Sequence, residues 1–94
     1  MEFEIQVKTS SLVIPKEIPV TVLSAFVNSK AAIGFVGLRN ALANPLTDPA
    51  VFSITGPGNF HGENHPLGYE IPGGGLHVSL DADVASVVLK IKLG

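Results

Sequence analysis

Along the opening stretch, MEFEIQVK, apolar and polar positions alternate without a break. Phe3, Ile5 and Val7 fall on one side and Glu2, Glu4, Gln6 and Lys8 on the other. That period of two predicts a strand with one buried and one wet face. SLVIP continues the pattern irregularly until Pro15 stops it. The run IPVTVLSAFV is rich in β-branched residues, with Val20, Val22 and Ser24 on one face and Thr21, Leu23 and Ala25 on the other. Apolar residues on both faces predict a more central strand, with Pro19 at its entry, where a missing N–H matters little.

The pattern changes in SKAAIGFVGLRNALAN. Ala31, Phe35, Leu38 and Leu42 step by about four, three and four residues, the spacing of one helical face. Ser29 could cap such a helix and Asn44-Pro45 would end it, because the residue before proline leaves the α region. This predicts a short helix near 30–43. Gly34 and Gly37 oppose it, each costing roughly 1 kcal/mol in a helix interior. The rival reading is a strand through AAIGFVGL followed by a loop.

PAVFSITG reads as a short strand ended by Gly56-Pro57-Gly58. The segment 57–75, crowded with glycine and proline, reads as one long irregular loop, a kind of segment that often carries function. LHVSL alternates again, with His77 and Ser79 outward. After the turn at DAD, VASVVLKIKL puts Val87, Leu89, Ile91 and Leu93 opposite Val88, Lys90 and Lys92. There is no internal repeat and no βαβ alternation. The expected fold is a single all-β domain over 1–94, an antiparallel sandwich or jelly-roll-like small barrel of about six strands.

Charge refines this picture. The first strand carries Glu2 and Glu4 outward and the last carries Lys90 and Lys92 outward. Opposite charges directly across a strand pair contribute about 0.2–1 kcal/mol each. The terminal strands therefore read as complementary, first as neighbours within one chain and alternatively across a subunit boundary by strand addition. Charged residues make up only 15% of the chain, against about 25% in an average soluble domain, and the mean hydropathy is +0.41. Either apolar surface is left over for association, or the turns are simply neutral; association is the preferred reading. The net charge is −2, with the six Lys and Arg scattered and no Trp, so nucleic acid is not an expected partner. No apolar run approaches the ~20 residues of a membrane span, and the opening stretch has no leader-like apolar run. There are no cysteines, which excludes disulfides and thiolate metal sites without choosing a compartment.

Candidate chemistry centres on NFHGENH. In an extended chain His61, Glu63 and His65 lie on one face, and two imidazoles with a carboxylate are a sound ligand set for a divalent metal. Glu70 or His77 could add a fourth ligand. The order is H-x-E-x-H in a Gly-Pro context, not the helical H-E-x-x-H of zinc proteases. A solvated polar loop without metal is the preferred reading, so no cofactor is expected. Phe60 and Tyr69 offer rings that could stack on a sugar or peptide, or else pin the loop to the sandwich. The triple glycine 73–75 lacks the Lys-Ser/Thr and helix of a phosphate loop and reads as a turn. Asp81 and Asp83 likewise read as turn residues in preference to calcium ligands. No nucleophile elbow or facing carboxylate pair occurs.

The sequence thus favours a non-catalytic structural or assembly subunit. It would associate with itself or a related subunit through strand edges and exposed apolar surface. A fibre, pilus, shell or virion accessory component fits by analogy. The alternative is a small module binding carbohydrate, peptide or metal through 57–75. A metal-dependent enzyme around His61, Glu63 and His65 is a weaker third.

Overall fold

The computed structural model describes residues 1–44 and 46–94. Among these residues there are eight strands and no helix. In chain order they are β1 (Glu2–Val7), β2 (Ser11–Ile14), β3 (Val20–Ser29), β4 (Phe35–Arg39), β5 (Phe52–Thr55), β6 (Gly62–Glu70), β7 (Leu76–Leu80) and β8 (Val84–Leu93). They form two four-stranded sheets of order β1-β8-β3-β6 and β2-β7-β4-β5, and every pairing is antiparallel. Strand one pairs with eight, two with seven, three with six and four with five. This is a single antiparallel ribbon rolled over on itself, the jelly-roll arrangement. The expected all-β sandwich is therefore what the chain adopts, with eight strands where the sequence predicts about six.

The core lies between the sheets and is almost wholly aliphatic. Val20, Val22, Ala25 and Val27 of β3 and Val87, Leu89 and Ile91 of β8 are fully buried, facing Val36, Leu38, Leu76 and Val78 from the second sheet. On β3 the spacing from Val22 to Ala25 is odd, which an unbroken strand would split between two faces. A bulge resolves it: the register against both β6 and β8 shifts between Val22 and Ser24. The extra residue turns Ala25 and Val27 back to the core. The two apolar faces read from the sequence are thus one face interrupted.

Two expectations are corrected. The helix near 30–43 is absent; its centre is strand β4, paired with β5 and β7. Gly34 sits so close to the β7–β8 turn that a Cβ there would meet the Asp83 carbonyl carbon at 2.8 Å. That glycine answers to a close backbone approach, and the helical stepping of Ala31, Phe35, Leu38 and Leu42 is coincidental. The helix stop read at Asn44-Pro45 falls partly on residue 45, outside the described residues. The second correction concerns 57–75, which is not one long loop. Its middle nine residues form β6, paired with β3 from Thr21↔Glu70 to Asn28↔Gly62. Pro66 and Gly68 are tolerated because β6 is an edge strand, where a missing donor and a bulge cost little.

Candidate functional site

The proposed metal ligands lie along the start of β6. Glu63 pairs with Val27 and His65 with Ala25, so both side chains are on the core-facing side of the sheet at its open edge. His65 Nε2 lies 2.8 Å from the Thr55 carbonyl of β5. A carbonyl only accepts, so this nitrogen carries the hydrogen and donates it. Glu63 Oε1 sits 3.8 Å from the same nitrogen. His65 thereby stitches the edge of one sheet to the edge of the other. A metal would have to take Nδ1 or displace the Thr55 bond. His61 lies just before β6 in a turn closed by its N–H on the Gly58 carbonyl at 3.0 Å, and its side chain is exposed. Among the described residues no three His, Asp or Glu side chains gather closely enough to hold a metal ion. The structure brings Glu63 to His65 and leaves His61, Glu70 and His77 apart from them.

Phe60 and Tyr69 stand at opposite ends of β6 and form no common platform. Tyr69 packs on Phe52 with ring centroids 4.8 Å apart and planes tilted by 40°. Its hydroxyl donates to the Val51 carbonyl at 3.4 Å. It is a second staple between β6 and β5. Phe60 is the reverse case. Asn59 and Phe60 both adopt left-handed backbone, with φ of 51° and 58°. Their N–H groups are held at 2.8 Å by the carbonyls of Ala31 and Lys30. The clamped turn leaves Phe60 78% exposed.

The four charged residues of the terminal strands meet inside the chain. Glu2 lies opposite Lys92 and Glu4 opposite Lys90, and the closest approach is diagonal, Lys90 Nζ to Glu2 Oε1 at 3.9 Å. Their complementarity is met by β1 and β8 of one molecule. All are solvent-exposed, so the pairs serve register more than stability.

A polar cluster that the sequence reading left unassembled lies on the outer face of the second sheet. There Arg39 of β4 pairs with His77 of β7, and Gly37 with Ser79. Arg39 Nη1 donates to Ser79 Oγ and its Nε to the Asp48 carbonyl at 3.0 Å. The missing side chain of Gly37 floors a shallow cleft of about 370 Å³, rimmed by Phe35, Ala50 and Asp81. Burial, and then the neighbouring Arg39 guanidinium, hold the His77 imidazole below its ordinary pKa and so favour its neutral form. Ser79 Oγ and His77 Nδ1 are 3.5 Å apart. This is not a Ser-His-Asp triad: among the described residues no carboxylate hydrogen-bonds His77 to orient it, and Arg39 adds a donor to the Ser79 oxygen. Period-two reading does place His77 and Ser79 outward; only the strand order brings Arg39 to them.

The remaining polar turns are closed by their own hydrogen bonds. The Asp81 carboxylate accepts the N–H groups of Phe35 and Asp83, both at 2.9 Å. Gly73, Gly74 and Gly75 all have positive φ, as their turn reading requires. Much of what faces solvent is apolar. Leu42 and Leu46, in the crossover from β4 to β5, are 74% and 91% exposed. At the other end of the sandwich Ile33, Phe35 and Phe60 are more than half exposed. No family model, curated protein or solved structure matches the chain.

Proposed function

We propose that this chain is a non-catalytic assembly subunit that associates with copies of itself. The observation that carries the reading is the exposure of ten large apolar side chains among the described residues of so small a domain. Several of them, Leu42, Leu46, Ile33, Phe35 and Phe60, stand on or beside loops at the two ends of the sandwich. Apolar side chains gathered on projecting loops, with few charges between them, mark surfaces that bury against a partner. Roles as a fibre, pilus, shell or virion accessory component belong to this proposal as analogies of fold and composition. The rival reading, a ligand site on 57–75, is weakened by the separation of Phe60 from Tyr69 and by the use of Tyr69 and His65 as staples.

The test is solution mass by light scattering on a sizing column over a hundredfold concentration range. A discrete oligomer, or a mass that grows with concentration, is expected. Leu42→Ser with Leu46→Ser, and separately Phe60→Ser, identify which end contributes. A monomer throughout the range overturns the proposal.

A further inference from the structure

Resting on that reading, we propose that the free edge of β1 is a further surface, besides the apolar ends, through which two copies pair. They would join antiparallel about a two-fold axis at Ile5, making one continuous eight-stranded sheet. Among the described residues four strand edges are unpaired in the sandwich: β1 and β6 in the first sheet, β2 and β5 in the second. Three are poor templates. β6 is broken by Pro66 and by Gly68 at φ 69°. β2 has four residues and a register shift, and β5 has four residues. β1 has six residues in unbroken register with β8, with no proline, glycine or bulge to blunt it.

The backbone polarity of that edge is set by its other side. Leu93 N donates to the Met1 carbonyl at 2.9 Å, so Met1 turns its carbonyl toward β8. Direction alternates along an antiparallel strand. Phe3, Ile5 and Val7 therefore bond to β8, while Glu2, Glu4 and Gln6 present their N–H and C=O groups to solvent.

Register follows from the side chains. Residues opposite each other in an antiparallel pair share a face, so the buried set Phe3, Ile5, Val7 must meet its own kind. The register centred on Glu4 sets Glu4 against Glu4, two like charges. The register centred on Ile5 sets Glu2 against Lys8 twice, Glu4 against Gln6 twice, Phe3 against Val7 twice and Ile5 against Ile5. It makes the unsatisfied even-numbered residues the hydrogen-bonded pairs. It also covers Phe3 and Ile5, which a single chain leaves only half-buried. Lys8, just beyond β1, pairs with no β8 residue in the ladder, and the second copy's Glu2 gives it a partner.

Charge reversal and mixing test this. Lys8→Glu sets a carboxylate at position 8 against Glu2 at both ends and should weaken pairing about tenfold. Glu2→Lys should weaken it similarly. Equimolar mixing of the two single variants restores both opposite-charge contacts and should return the wild-type mass. Gln6→Pro removes a donor that points away from β8, so it should block pairing while circular dichroism still shows the fold. If wild type associates and neither Lys8→Glu nor Gln6→Pro changes its mass, this edge is not the interface, although the assembly reading stands. If wild type stays monomeric throughout, both fall.

Discussion

The two sheets close over one core but are held by different means. In the first, β3 and β8 each run ten residues and lie side by side, and the ladder between them supplies the frame. In the second no strand exceeds five residues. Its backbone ends are completed by side chains: Arg39 reaches Ser79 and the Asp48 carbonyl, Asp81 accepts from Phe35 and Asp83, and Ser10 Oγ accepts from Leu80 N at 2.9 Å. A long ladder satisfies its own donors and acceptors, whereas a short one leaves more of them to caps and loops. Regularity therefore gathers in one layer, and polar surface chemistry in the other.

The largest effect sharpens this contrast by asking whether the sheets unfold together. Leu89→Ala on β8 and Leu38→Ala on β4 each truncate a fully buried side chain. Each should cost about 2–5 kcal/mol in urea unfolding. Near-equal losses with one transition mean one cooperative core, whereas a much smaller loss at Leu38 would make the second sheet a separately fraying layer. Next comes Arg39→Ala, which removes two hydrogen bonds and should cost about 1–2 kcal/mol. Amide exchange should quicken in β4 and the 40–51 crossover and stay unchanged along β1 and β8. Uniform quickening would contradict the division of labour.

A smaller effect has the opposite sign. Ser29 is buried at the end of β3, and its hydroxyl has no hydrogen-bond partner among the described residues. Ser29→Ala should raise stability by about 1 kcal/mol, seen as a higher urea midpoint with an unchanged slope. The smallest effect concerns pH. Because the fold favours neutral His77, the unfolded chain takes up this proton more readily. Stability should fall as pH drops through the ordinary histidine range, near 6.5. The loss stops growing below the lowered native value. His77→Gln should remove this component, and an unaltered acid slope would show that Arg39 and burial do not act on His77 as described.

The same contrast explains what could be read in advance. β1 and β8 were legible because Phe3, Ile5 and Val7, and Val87, Leu89 and Ile91, alternate cleanly, and their outward charges fit. β4 was hidden because strand and helix periods coincide over so few residues, and its glycines looked like costs. The reason for Gly34 lies in Asp83 and Val84, about fifty residues away. β6 was hidden by Pro66 and Gly68, which forbid a central strand and allow an edge one; which it is depends on sheet order. At the candidate site, local spacing correctly put Glu63 and His65 on one face. It could not show that Thr55 claims the imidazole, or that Phe60 and Tyr69 end far apart.

The rolled ribbon also dictates a timetable. Of the strand pairs among the described residues only β4–β5 joins strands consecutive in the chain, so nearly every pairing must first close a long loop. Such topologies fold in milliseconds to seconds. On the ribosome β1 is made before its mate, β8, and at ~5–20 residues/s the interval is about 4–16 s. Through that time both edges of β1 are open, and only the later arrival of Lys90 and Lys92 gives Glu4 and Glu2 their companions. Neighbouring nascent chains would meet each other's first strands before either had its last.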